Sequence, residues 1–554
     1  MKKNEWLKMK KSSFVEGTLI ATLAIVFTKI LGMLYVIPFY AMIGVQGSAL
    51  YAYAYNIYVI FLDISSAGLP IAISKIINEY NTLEMMDAKT RAYHLGKKIM
   101  VFLAISVFVI LFVFAPQIAH LLIGELTGGN TVADVAAAIR CVSFAILIVP
   151  FLSVSKGFLQ GHNIINVSSI SQVIEQVVRI TVILGGSYLI LNVLKGTVTQ
   201  AVCLSVFGAF LGGLAAYAYI KYRINKSDID LNGNSIDKKD EVTNKDIAKK
   251  IFSYALPFII INIVSSCYNF IDMTLLLRTM NYLNLSTNDI EFATSAVTTW
   301  APKINMIVTS VAMGMSTSLI PTMVSAYTMK NWREVNNKFN QAIQIILFVS
   351  LPMTIGISLL SSSIWSIFYG YNVKGAYILA LNIFAGLFIN IYMITSSSLQ
   401  GLNKFKMVYL STITGFLANA LLDVPIMILY SKINIPPYLG AITASIIGYM
   451  LSIIIAFVSL AKTCNLKYKK TFKVLFKMIL PIILMIIVVV ILKWLIPVNY
   501  GSKLSCIIYD FIIGIVGAIV YIFISFKMGI VEEVLGRAMT NRILKKLTFG
   551  KISI

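Results

Sequence analysis

Long apolar runs separated by short polar clusters divide the chain into fourteen segments. They lie at 14–43, 47–79, 97–121, 133–160, 163–193, 197–221, 247–279, 292–327, 338–368, 374–400, 404–431, 437–462, 473–497 and 503–527. Each is long enough to cross a hydrocarbon core of about 30 Å as a helix rising 1.5 Å per residue. The pattern predicts an all-α polytopic membrane protein with fourteen transmembrane helices. The first run, from Val15 to Met42, is too long for the apolar part of a cleaved signal and reads as the first span. Only one polar stretch is long: 223–246 is rich in Asn, Asp and Lys and poor in apolar residues, which predicts a cytoplasmic linker. The domains expected are a six-helix bundle at 1–222, the linker at 223–246, a second six-helix bundle at 247–463, and helices 13 and 14 with a cytoplasmic tail at 464–554.

Charge gives these segments an orientation. Of the 46 Lys and Arg, thirty-five fall on the side of the two termini. Six lie opposite (Lys195, Arg278, Lys374, Lys432, Lys493, Lys503) and five within spans (Lys29, Lys75, Arg140, Arg179, Lys303). By the positive-inside rule both termini are cytoplasmic. With 58% hydrophobic and 12% charged residues, against roughly 25% charged in soluble domains, the chain has too little polar surface to enclose its apolar content in water. The net charge of +23 is scattered through short loops beside span ends, which is a topological pattern and argues against nucleic acid as a partner. The five cysteines stand singly, without metal or redox spacing, and read as packing residues. No Walker A pattern occurs, and no outward loop is long enough to hold polar substrates for a membrane glycosyltransferase, so an enzyme is not expected.

An internal repeat divides the chain in two. Leu159-Gln160-Gly161-His162-Asn163 recurs 240 residues later as Leu399-Gln400-Gly401-Leu402-Asn403, and Ser171 matches Ser411 at the same offset. Pro70 and Ser74 have counterparts in Pro321 and Ser325. Equivalence by steps of six spans predicts two pseudo-symmetric bundles of like orientation, related by an axis along the membrane normal, with spans 13 and 14 appended.

Charges inside spans cost about 2.5–3.5 kcal/mol or more and normally face a wet cavity or a partner. The candidates are Lys29, Asp63, Lys75, Glu175, Arg179, Asp272, Lys303 and Asp423. Glu175 and Arg179 are four apart on one helical face, so they are either a mutual ion pair or groups presented to a ligand. Lys75 is placed to snorkel to the interface, and Arg140 to meet a nearby acid or headgroup. A second constellation has hard oxygen ligands suited to a small cation such as Na+: Asp272, Asn419 and Asp423 one turn apart, and Thr443. Its structural alternative is hydrogen-bonded packing between spans.

Three stretches carry a resemblance: Ser171-Gln172-Val173-Ile174-Glu175-Gln176-Val177-Val178-Arg179, then Lys29-Ile30-Leu31-Gly32 with Tyr51-Ala52-Tyr53-Ala54-Tyr55, and Gly68-Leu69-Pro70-Ile71-Ala72-Ile73-Ser74-Lys75. Together they resemble the stage V sporulation protein B branch of the lipid II flippases, within the multidrug, oligosaccharidyl-lipid and polysaccharide exporter superfamily. The resemblance implies a V-shaped pair of bundles around a central cavity, with spans 13 and 14 forming a lipid-facing groove. It implies alternating-access transport of an undecaprenyl-diphosphate-linked precursor, lipid II above all, to the outer leaflet of a bacterial plasma membrane. Other lipid-linked polysaccharides and cation-coupled multidrug export are the alternatives. Membrane lipids and cell-wall synthesis enzymes are the implied partners, with Na+ or membrane potential as the driving force. The candidate substrate-binding set is Lys29, Tyr35, Asp63, Gln172, Glu175, Gln176, Arg179 and Lys303. Tyr35 stands where better-known members of the family carry a further arginine.

Overall fold

In hydrocarbon every backbone N–H and C=O must be satisfied within the protein, and a helix does this inside each segment. The computed structural model describes residues 24, 27–66, 68–124, 129–162, 164–226, 242–536 and 540–541, and among them the only regular elements are helices. Eleven are long and apolar enough to cross a membrane, or twelve if the bent pair α1 (Phe27–Leu34) and α2 (Val36–Ser66) contributes one. Most of the expected linker, at 227–241, and the end of the tail, at 542–554, lie outside the described residues. The chain divides into two compact units, Met1–Thr299 and Trp300–Ile554.

The first unit continues with α3 (Leu69–Thr82), α4 (Met86–Val113), α5 (Ala115–Ile123), α6 (Val132–Gly161), α7 (Ile165–Tyr188), α8 (Val198–Asn225), α9 (Asn244–Tyr282) and α10 (Thr287–Ser295). Local sequence sets several of these boundaries. Gly44 interrupts α2 with φ 65°, a conformation that glycine adopts without strain. Thr131, Thr197 and Thr243 each begin a helix by accepting from the backbone N–H three residues on, while Asp134, Gln200 and Asp246 bond back to the capping residue.

The centre of this unit is α6. Its apolar window is 67% buried, against 11% for that of the span Asn166–Val193, which contains nearly all of α7, because α2, α3, α4, α5 and α8 all pack around it. Glycines set the closest approaches: a Cβ on Gly161 would lie 2.8 Å from Ile77, and one on Gly68 only 2.3 Å from the carbonyl oxygen of Ala255 on α9. Polar contacts tie the last helices to the earlier ones. Lys250 pairs with Glu79 at 2.6 Å, and Glu291 accepts from the backbone and side-chain nitrogens of Asn130 at 2.7 and 2.9 Å. Asn56 donates to Thr298 and Thr299 at 3.3 and 3.1 Å.

The second unit holds α11 (Ala301–Thr328), α12 (Trp332–Leu359), α13 (Ser361–Tyr369), α14 (Val373–Gly401), α15 (Phe405–Lys432), α16 (Tyr438–Cys464), α17 (Lys469–Leu495), α18 (Lys503–Lys527) and α19 (Ile530–Leu535). Here α14 takes the central place, 61% buried between α11, α12 and α16. Each copy of the Leu-Gln-Gly repeat closes a central helix, α6 at Gly161 and α14 at Gly401, and the matched serines Ser171 and Ser411 both donate to the carbonyl three residues back. The last two long helices, α17 and α18, pair with each other and lean on α12 and α13. Phe476, Trp494 and Phe511 remain exposed, as lipid-facing side chains do.

Candidate functional site

The candidate site is built on α7, and α8 fixes its backbone. Gly208 and Gly212 sit where α8 touches α7: a Cβ on Gly212 would lie 2.6 Å from the carbonyl oxygen of Glu175 and 3.2 Å from Cβ of Arg179. Small residues four apart let two membrane helices approach this closely. The contact determines how α7 presents its polar side chains.

Glu175 and Arg179 do not pair with each other. The Glu175 carboxylate is held by Lys156 of α6, Nζ to Oε2 at 3.0 Å, with both side chains partly exposed. The Arg179 guanidinium lies over the ring of Tyr55, 5.7 Å from its centroid, and has no carboxylate partner among the described residues. Tyr55 stacks on Tyr51 with centroids 5.7 Å apart and ring planes 11° from parallel, and the Tyr51 hydroxyl is bonded to that of Tyr35 at 3.2 Å. An arginine over an aromatic face is stabilised by the ring quadrupole without being neutralised. Lys156 and Glu175 cancel one another, and among the described residues no carboxylate cancels the charge on Arg179.

The first helix adds to this side. A Cβ on Gly32 would lie 3.3 Å from Nε2 of Gln176, so Gln176 rests against α1, and half-buried Lys29 stands three residues before Gly32 on the same helix. Tyr35 is 5% exposed and belongs to the tyrosine cluster behind the guanidinium. Gln172 is exposed one turn before Glu175 and Gln176. Asp63 lies on α2 at a position whose side chain is outside the described set. Lys303 is buried near the start of α11, in the second unit, two residues before Asn305, which donates to Asn382 on α14. Lys75 rests on the ring of Tyr254, and Arg140 donates to the carbonyl of Phe112 rather than to an acid.

Of the candidate cation ligands, Asp272 is buried on α9 in the first unit, and the other three belong to the second. Asn419 and Asp423 are fully buried on α15. Asn419 accepts from Ser445 at 3.1 Å, and the Thr443 hydroxyl donates to the carbonyl of Leu439 and bonds the Tyr430 hydroxyl. Pro425 has no N–H for the carbonyl of Leu421, but Leu421 lies on the exposed face of α15, opposite Asn419 and Asp423.

The residue that sequence reasoning missed is Lys156. It reads as one more cytoplasmic-side charge beside a span end. Its one distinguishing mark is that it stands alone in its junction, four residues before Gln160 of the repeat.

Comparison with known proteins identifies the family. The family model described as polysaccharide biosynthesis protein matches residues 14–327, and the MatE model matches residues 257–425. The lipid II flippase MurJ of Bacillus subtilis is 31% identical over 538 residues, covering 95% of this chain and 98% of its own length. The chain belongs to the MurJ family of polysaccharide biosynthesis proteins. Stage V sporulation protein B of Bacillus subtilis is 22% identical over 472 residues, 83% of this chain and 86% of its own. A solved lipid II flippase MurJ in an inward closed conformation shares the fold, with a TM-score of 0.66 at 17% identity over 91% of this chain and 98% of that one. Members of the MurJ family are multi-pass membrane transporters, not enzymes.

The α7–α8 contact carries a prediction. Gly212→Val forces side-chain atoms into the carbonyl of Glu175, so it should destabilise the purified protein by about 1–3 kcal/mol, the usual cost of overpacking. Thermal unfolding in detergent measures this, with Gly185→Ala as control because a Cβ there meets nothing within 4 Å. Equal stability of the two variants would contradict the packing account.

Proposed function

We propose that this chain moves an undecaprenyl-diphosphate-linked cell-wall precursor, lipid II, from the inner to the outer leaflet, and that Arg179 is its anion-binding group. The observation that carries the reading is the Lys156–Glu175 pair, which leaves Arg179 over an aromatic ring with its charge intact. A diphosphate brought out of water needs such a donor, since bonds between a guanidinium and phosphate oxygens are charge-assisted and specific in direction. Lys29, near Gln176 by way of Gly32, supplies a second cation, while the polyprenyl chain stays in the bilayer. Cations at this place disfavour the lipophilic cations that a multidrug exporter would carry.

The reading includes fourteen spans with both termini cytoplasmic, two pseudo-symmetric bundles at 1–222 and 247–463 joined by the 223–246 linker, and two helices appended in 464–554. The helix pairings support it: α7 on α8, α6 on α8 and α4 on α6 in the first unit have counterparts in α15 on α16, α14 on α16 and α12 on α14 in the second. A sodium ion bound by Asn419, Asp423 and Thr443 is the proposed coupling ion; the fully buried amide and carboxylate one turn apart on α15 support it as hard oxygen ligands.

The charge arrangement predicts a pattern across three variants. In cells depleted of their own flippase, Arg179→Gln should abolish delivery of lipid II to the outer leaflet at normal membrane abundance. Lys156→Met should lower it by roughly ten-fold or more, the scale of one lost charge-assisted bond, because Glu175 is then free to neutralise Arg179 one turn away. Adding Glu175→Gln to Lys156→Met should restore most of the delivery. Full activity of Lys156→Met, or a double variant no better than the single, would remove Arg179 as the anion site.

The sodium proposal has its own check. At equal ionic strength sodium should raise the melting temperature of the parent protein more than potassium does, and Asp423→Asn should erase the difference. Equal shifts with the two salts would leave membrane potential as the driving force.

A further inference from the structure

A cavity of about 430 Å³ opens in the second unit between α12, α17 and α18, and it shares no residue with the anion site. Its walls are apolar, with Met353, Ile357, Met485, Val489, Ile513 and Ile522 among them. Two glycines make the room: a Cβ built on Gly356 or on Gly514 meets no atom within 4 Å. One end is closed where the Tyr521 hydroxyl donates to the carbonyl of Phe348 at 3.0 Å.

At the other end stands a single carboxyl group. Oδ1 of Asp510 accepts a short hydrogen bond from Ser363, whereas Oδ2 is buried and has no hydrogen-bond partner among the described residues. The ammonium of Lys493, close by, donates to the carbonyl oxygen of Leu359 instead. A plain hydrocarbon would satisfy the walls and leave Oδ2 without a donor. The volume falls in the range of about 300–1,000 Å³ typical of small-molecule sites, which join apolar walls to a few orienting polar groups.

We propose that this cavity binds a lipophilic amine, its ammonium on Oδ2 of Asp510 and its hydrocarbon body lying along Gly356 and Gly514 toward Tyr521. A neutral amine meeting a protonated carboxyl takes the proton onto its nitrogen, and an ammonium meeting a carboxylate needs no transfer, so both routes end in the same ion pair. Entry is from the bilayer. Asp510 lies seven residues into α18, about 10 Å along the helix, and Phe511 and Phe523 on that helix face outward.

Photolabelling in nanodiscs of phosphatidylglycerol tests the proposal. The probe is a phenylbutylamine with a diazirine on its ring, compared with the same compound carrying a methyl group in place of the amine. The amine should label peptides around Gly356 and Gly514, and Asp510→Asn should lower that labelling by about ten-fold, as expected for a lost ion pair in an apolar site. Gly514→Leu fills the cavity while keeping the carboxyl and should lower it to the same extent. The methyl analogue should label these peptides no more than the lipid-facing surface of α17. Equal labelling by the two compounds, or amine labelling that survives either substitution, overturns the proposal. If Asp510→Asn does not accumulate in the membrane, Gly514→Leu decides alone, with surviving labelling as the contrary result.

Discussion

Hydrocarbon does not solvate charge, so each ionised group within a span is held by a partner or faces water, and that constraint shapes the first unit. Glu175 and Arg179 are one turn apart on α7, the spacing at which a helix most readily pairs opposite charges. Lys156, reaching across from α6 at 3.0 Å, takes the carboxylate first. The guanidinium is left to the face of Tyr55, which stabilises it while leaving its charge uncancelled. Everything else around α7 serves that outcome. Gly208 and Gly212 bring α8 close enough to fix the rotation of α7, and the stack of Tyr51 on Tyr55, bonded through to Tyr35, holds the ring beneath the arginine.

The helix that supplies Lys156 is also the one around which the unit is built. As the most enclosed helix of the bundle, α6 cannot move without disturbing six neighbours, so Lys156 is held on a rigid element. In the second unit α14 is enclosed in the same way and ends in the same Leu-Gln-Gly sequence. The repeat therefore closes the most enclosed helix of each unit. Glycine at the end of a central helix allows close approach, as the 2.8 Å separation between the Gly161 Cβ position and Ile77 requires.

Much of this was legible in the sequence, because the bilayer leaves few alternatives. Apolar runs of helical length act locally, so their effect is readable from neighbouring residues. The motif from Ser171 to Arg179 was also recognisable as a site, but its internal electrostatics were not. Periodicity along α7 shows that Glu175 and Arg179 share a face; it says nothing of a lysine nineteen positions earlier on another helix. Pairing across helices depends on the rotation of each, and here glycines on α8 set that rotation from a third helix. The cavity beside Asp510 was hidden for the same reason, since it arises from side chains that Gly356 and Gly514 lack.

The central claim is that Arg179 carries an uncancelled charge available to a diphosphate. The most direct test is the affinity of the purified protein for undecaprenyl diphosphate relative to undecaprenol, measured by native mass spectrometry for the parent and for Arg179→Gln. The account predicts that the parent prefers the diphosphate by roughly ten-fold or more and that Arg179→Gln loses most of this preference. An undiminished preference in Arg179→Gln would contradict it.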